Sequence, residues 1–160
     1  MFSTAATVQT TINAARAKAF AHIVPIDLSS IFTGFGPLPS VLKTLNETGP
    51  WDAAGRSRTV VFSDGSSATE SLTGYDFPTS FEYRITGFTG VLKYLATEAQ
   101  GKWWFENTAE SATTVRWRYE FVSRFALLKP LVSLFTKHLW RGYMGKALNL
   151  SKVQVEAESA

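Results

Sequence analysis

The chain has 160 residues, 45% of them hydrophobic and 18% charged, with a formal net charge of +3. That length holds one domain, residues 1–160, and the apolar share is too large for a disordered tail. No cysteine is present, so disulfide scaffolds, thiolate metal sites and cysteine nucleophiles are excluded.

Met1 to Thr11 has no basic stretch followed by an apolar one, so no secretory leader is expected and the cytoplasm is the expected compartment. Thr7 to Asn13 alternates and is rich in Val, Thr and Ile, the pattern of a strand. Asn13 then stands where a helix N-cap belongs, and Ala14 to Ile23 reads as a short helix stopped by Pro25. A second short helix is expected over Ile26 to Phe32, capped by Asp27 or Ser29. Residues 33–55 carry Gly34, Gly36, Pro37, Pro39, Gly49, Pro50 and Gly55, so a long irregular segment is expected. Its Phe35, Leu38 and Trp51 must pack on something.

From Gly55 the pattern is that of hairpins. Arg58 to Phe62 is β-rich, Ser63-Asp64-Gly65-Ser66 is a tight turn, and Ala68 to Tyr75 returns. Ser80 to Phe88 places Phe81, Tyr83 and Ile85 on one face. Lys93 to Glu106 reads as a long strand with a bulge at Gly101. Thr113 to Val122 sets Val115, Trp117, Tyr119 and Phe121 against Arg116, Arg118 and Glu120.

The period then changes. Leu128, Leu131, Val132, Phe135, Leu139 and Tyr143 recur at three- and four-residue spacing, which predicts a helix from about Pro130 to about Ser151. The apolar stretch Phe125 to Trp140 is interrupted by Lys129, Pro130, Lys137 and His138, so no stable membrane insertion is expected. The fold class is therefore α+β: an antiparallel sheet with one long helix covering a face.

The familiar catalytic signatures, G-x-S-x-G, H-E-x-x-H, the phosphate loop and G-x-G-x-x-G, are missing. A metal site would have to combine His22, His138 and a distant carboxylate, so no metal and no cofactor are expected. His138, Gly142, Gly145 and Asn149 fall on one flank of the long helix's apolar face. Two helical glycines cost about 1 kcal/mol each relative to Ala; room for a ligand and close packing on the sheet both offset that cost. Glu70 shares the parity of Leu72, and if it points to the core it needs Arg58, Arg84 or a ligand donor. Phe81, Tyr83, Tyr94, Trp103 or Trp104, Phe105, Trp117 and Tyr119 supply more polar-tipped rings than a plain core requires. Trp103 and Trp104 point to opposite sides. Nucleic acid is not the expected partner, because the rings and arginines of 116–119 face opposite ways.

Charge is unevenly placed: residues 1–112 carry a net −2 and residues 113–152 a net +7. Lys129, Lys137 and Arg141, beside Trp140 and Met144, would suit an anionic surface or partner.

The motifs Thr48-Gly49-Pro50-Trp51-Asp52, Gly55-x-x-Arg58, Ser63-Asp64-Gly65, Glu70-x-Leu72 and Tyr83-Arg84-Ile85 resemble the SRPBCC superfamily, also called START-like, which includes the polyketide cyclase/dehydrase and lipid-transport group. Pollen-allergen-type proteins and plant abscisic acid receptors are relatives. The element order matches over residues 5–153, and Ala147-Leu148-Asn149-Leu150 is similar to the family's terminal helix. The resemblance implies a helix-grip fold: a curved antiparallel sheet of six to seven strands around a long C-terminal helix, with two short helices after the first strand. It also implies a cavity for a hydrophobic or aromatic small molecule, lipid- or polyketide-like, between sheet and helix. In the receptor-like branch the positions matching Glu70, Tyr83, Tyr94 and Asn149 line the pocket. The expected lining is Glu70, Phe81, Tyr83, Tyr94, Trp104, Trp117, Tyr119, His138 and Asn149. The alternative is a cyclase- or dehydratase-like enzyme, with Glu70 as general acid or base and Tyr83, Tyr94 or His138 polarising a carbonyl. The receptors' Ser-Gly-Leu-Pro gate and latch His-Arg are absent, so hormone reception is not implied. Pairing with some relatives would turn Arg116 and Arg118 inward; the apolar-face rule turns Trp117 and Tyr119 inward and is preferred. A homodimer is compatible with the sequence.

Overall fold

A computed structural model describes residues 2–159. Seven strands form one antiparallel sheet in the order β1-β7-β6-β5-β4-β3-β2. They are β1 (Ser3–Ile12), β2 (Val41–Leu45), β3 (Ser57–Phe62), β4 (Ser67–Asp76), β5 (Ser80–Thr86), β6 (Ala96–Ala109) and β7 (Ala112–Ser123). Hairpin links join β2 through β7 in sequence, and β1 crosses over to pair with β7 along ten residues. Helix α1 (Arg16–Ile23) and a 3-10 turn (Leu28–Ser30) follow β1, and α2 (Leu92–Leu95) is a single turn ahead of β6. The long C-terminal helix is continuous in three pieces: α3 (Lys129–Leu134), a π-helical segment (Phe135–Trp140) and α4 (Arg141–Ser159). This is the helix-grip fold. Among the described residues no helix is long and apolar enough to cross a membrane.

Strand alternation sorts the faces as the period of two requires. Arg58 and Val60, Ala68, Glu70 and Leu72, Phe81 and Tyr83, Trp103 and Phe105, and Val115, Trp117, Tyr119 and Phe121 are buried on the inner face. Arg116 and Arg118 are exposed on the outer one, which settles the facing of β7 in favour of the rings.

Four local expectations are corrected. Segment 33–55 is not wholly irregular: β2 lies within it as a sheet edge with only Val41 buried, too little burial to impose an alternating pattern. Residues 92–95 form a helical turn before β6 begins. Asn13 does not cap α1, whose N-cap is Ala15 without a side-chain bond; the Asn13 N–H donates to Glu156 Oε2 at 2.8 Å instead. Gly101 is no bulge, since β6 keeps register with both neighbours there. Its lack of a side chain serves Tyr83, whose ring lies where a Cβ would stand.

The long helix departs from the 3.6-residue face in a way that matters for the pocket. In α4 the buried positions, Tyr143, Met144, Ala147, Leu148, Ser151 and Val155, keep the usual three- and four-residue spacing, but ahead of it Val132, Thr136 and Trp140 stand four apart. A wider turn is needed to keep that spacing in line, and the π-helical segment provides it. Thr136, fully buried, donates its hydroxyl to the Val132 carbonyl at 2.7 Å inside this stretch. Leu131, expected on the buried face, is turned to solvent.

Candidate functional site

Between the inner face of the sheet and the helix lies a small apolar chamber of about 70 Å³. Its sheet wall is an aromatic array. Trp103 and Trp117, opposite each other on β6 and β7, stack with centroids 4.5 Å apart. Phe81 stacks on Trp103 at 5.7 Å, and Tyr119 meets Trp140 of the helix at 5.0 Å. Ile23, Ile31 and Phe32, from α1 and the segment after it, close one side.

Polar atoms enter this wall at one corner. Arg58 on β3 sits directly across from Glu70 on β4, both on the inner face. Arg58 Nη2 donates to Glu70 Oε1 at 2.9 Å, and both side chains are buried. The guanidinium also lies 4.0 Å from the centre of the Trp51 ring, so the long loop delivers Trp51 as a lid over the ion pair. Glu70 therefore has Arg58 as its partner; Arg84, the other candidate, is on the outer face with Glu98 at 2.5 Å. Nearby, Trp117 Nε1 donates to the Tyr83 hydroxyl at 2.7 Å. That contact uses the hydroxyl as an acceptor and leaves its own proton for another group. Burial, with the Glu70 charge adding to it, pushes the Tyr83 phenol far above its ordinary pKa of 10.0, so Tyr83 is a neutral donor. Burial likewise raises Tyr119, with Tyr83 and Glu70 as smaller causes. Trp140 Nε1 is buried with no protein partner among the described residues.

A second, larger cleft of about 280 Å³ adjoins the chamber and shares Phe62, Phe88, Leu92 and Trp140 with it. Its rim is built from Pro37 to Pro39, the 63–67 turn, residues 88–95 and Phe135, Leu139 and Tyr143 of the helix. The Tyr143 hydroxyl donates to the Pro39 carbonyl and ties that rim to the helix.

Of the expected lining, Glu70, Phe81, Tyr83, Trp117 and Tyr119 meet around the chamber. Tyr94, Trp104, His138 and Asn149 do not. Tyr94 projects outward from α2 and is 64% exposed. Trp104 is on the outer face, between Lys102 and Arg116 at 5.1 and 4.6 Å; Trp103 takes the inner place. His138 is exposed because the π-helical turn carries it off the buried face. Asn149 opens on an outer cleft beside β1. The helical glycines divide as well: Gly142 is packed against Phe35, whose ring would overlap a Cβ, whereas Gly145 meets nothing within 4 Å. Close packing accounts for the first, and neither borders the chamber. Trp140 and Met144, expected beside the basic residues on a surface, are buried. Sequence reading missed Arg58, Trp51 and Trp140 as lining. The Trp51 and Arg58 signals were present as an orphan tryptophan in a loop and a basic residue opposite Glu70.

The chain belongs to the polyketide cyclase / dehydrase and lipid transport family, whose model matches residues 3–156, and so to the hydrophobic-ligand-binding SRPBCC fold. Among solved structures, a point mutant of norcoclaurine synthase from Thalictrum flavum, in complex with a transition-state analogue, is similar with a TM-score of 0.74. It is 12% identical, over 99% of this chain and 97% of that one. The major latex-like protein 151 of Panax ginseng gives 0.68 at 13% identity, over 96% and 98%. Ara h 8.0201 gives 0.66 at 16% identity, over 97% and 99%. At these identities the likeness concerns the fold alone. No curated protein sequence matches the chain.

Proposed function

We propose that the protein binds a hydrophobic small molecule with a planar aromatic part, polyketide- or lipid-like, between sheet and helix. The observation that carries this reading is the pairing of an aromatic chamber with a single polar corner made by Arg58, Glu70 and Tyr83. Such a site orients a mostly apolar guest through a few fixed polar contacts.

Size sharpens the reading. The chamber alone, at about 70 Å³, is smaller than the roughly 150 Å³ apolar void that admits benzene. A guest must therefore extend into the adjoining cleft, past Phe88, Leu92 and Trp140. Its ring would lie against Trp103 and Trp117, with a carbonyl or hydroxyl accepting the Tyr83 proton. The Arg58 partner makes Glu70 a fixed anchor in an ion pair rather than a lone acid or base, so binding is favoured over proton-transfer chemistry. Thermal denaturation against planar aromatic polyketides, fatty acids and sterols tests this. A ligand at a hundred times its Kd stabilises the fold by about 2.7 kcal/mol. A planar aromatic compound is expected to raise Tm and to lose most of that effect in Tyr83→Phe. If no class raises Tm, the reading fails.

A further inference from the structure

Beside the cleft's rim two segments meet. The Arg124 N–H donates to the Leu95 carbonyl at 2.9 Å, and Arg124 Nη1 to the Lys93 carbonyl at 3.2 Å. This joins 91–95 to the run 124–134. Together they present Val91, Tyr94, Phe125, Leu127, Leu131 and Leu134, each between 52% and 93% exposed. Leu127, Leu131 and Leu134 follow one another at four- and three-residue spacing, so they stand in one line along the chain's helical path. Large apolar side chains gathered in this way mark an interaction surface.

Charge specifies what covers it. Lys93, Arg124, Lys129 and Lys137 are exposed on these segments or within a turn of them, whereas Arg141 lies by the outer cleft beside β1. Lys93 Nζ lies 4.9 Å from the Tyr94 ring, and the Arg124 guanidinium 6.0 Å from that of Phe125. From Phe121 to Val155 the chain has six Lys and Arg and no acidic residue. A second copy would bring two cationic rims together; an anionic surface would neutralise one.

We propose that this tip docks on the surface of an anionic lipid bilayer. The six apolar side chains enter the boundary between headgroups and acyl chains, and the surrounding cations meet the lipid charges. Tyr94 and Phe125, as rings with a cation alongside, suit that boundary. Docking does not depend on what the inner chamber holds. Because Val91, Leu92 and Leu95 also border the cleft, a docked molecule would hold the cleft's rim at the lipid surface.

Co-sedimentation of the full chain with vesicles tests this, using phosphatidylcholine alone and phosphatidylcholine mixed with phosphatidylglycerol. Binding is expected to the mixed vesicles, weak or absent on the neutral ones, and reduced by added salt. Leu127→Ser with Leu131→Ser is expected to weaken it about tenfold or more. Lys129→Gln with Lys137→Gln is expected to weaken it about 30-fold. Lys43→Glu on the edge strand β2 leaves it unchanged. All of these positions are exposed, so an unchanged melting curve shows that the fold is intact. Equal binding to both vesicle types, or none, overturns the proposal. So does a concentration-dependent dimer that the leucine pair abolishes while vesicle binding is absent.

Discussion

Replacing Arg58 by Met removes one half of a buried ion pair and keeps much of its volume. In the native chain Arg58 and Glu70 are each 7% exposed and 2.9 Å apart. The variant leaves the Glu70 carboxylate buried with no cation across from it. Breaking such a pair from one side costs about 3–5 kcal/mol, which for a chain of this length is a fall in Tm of about 6–20 °C. The penalty carries a pH signature. A lone buried carboxylate has its folded pKa raised above the unfolded value of about 4.3. The folded state then binds more protons than the unfolded one, so the deficit is absent below about pH 4 and grows as pH rises through neutrality. Arg58→Met combined with Glu70→Met removes both charges and is expected to return to within about 1–2 kcal/mol of the native stability. Denaturant or thermal unfolding of the three variants at pH 4 and pH 7 measures all of this. If Arg58→Met lowers Tm by less than about 2 °C at pH 7, with no dependence on pH, the pair is not the buried anchor described and the reasoning is wrong.

Gly101→Ala tests the close approach of the sheet to Tyr83. The added methyl overlaps the phenol ring, so the ring must move and release Trp117 Nε1. Overpacking and an orphaned donor together cost about 2–5 kcal/mol, read as a lower midpoint in urea. Tyr83→Leu in the same chain should recover part of it, whereas strictly additive losses would show that the two positions do not meet. Tyr83, Tyr119 and Tyr143 all have raised phenol pKa values, burial being the first cause in each. Groups raised in the folded state stabilise it below the unfolded pKa of about 10 and lose that contribution as pH climbs. Their ionisation, followed by ultraviolet absorbance, should coincide with alkaline unfolding followed by circular dichroism; ionisation of all three before unfolding would contradict their burial. Phe35→Ala should loosen the helix at Gly142 and cost about 2–3 kcal/mol, below the usual range for a buried Phe because Phe35 is 37% exposed; an unchanged Tm would deny that contact.

The sheet and its inner face were legible because strand alternation is a local signal. Alternation puts Phe81 and Tyr83 on one face, but for the last strand it leaves a choice that the apolar-face rule makes for Trp117 and Tyr119, and it gives Glu70 the parity of Leu72 without fixing that it points inward. The long helix was legible in existence and not in facing. A face drawn at 3.6 residues per turn does not anticipate the π-helical stretch at Phe135–Trp140, which withdraws Trp140 into the core and expels His138. The pattern from Lys93 onward reads Tyr94 into a strand, but Leu92–Leu95 is a helical turn, and one turn of helix has too few residues to show a period. For Trp103 and Trp104 parity required opposite faces without saying which was inner; the pairing of Trp103 with Trp117 decides it. Trp51 is the reverse case. It lies in a loop with no periodicity, and its place over Arg58 comes from tertiary packing alone.

The tryptophans offer the most direct test of the site. Trp51, Trp103, Trp117 and Trp140 border the chamber, while Trp104 stands on the outer face. In a nitrogen-15 spectrum their five indole N–H signals are separately visible. Titration with a planar aromatic compound that raises Tm is expected to move the four inner signals together and to leave that of Trp104 in place. Movement of Trp104 alone, or of none of the five while the compound still stabilises the fold, would mean that the guest binds elsewhere.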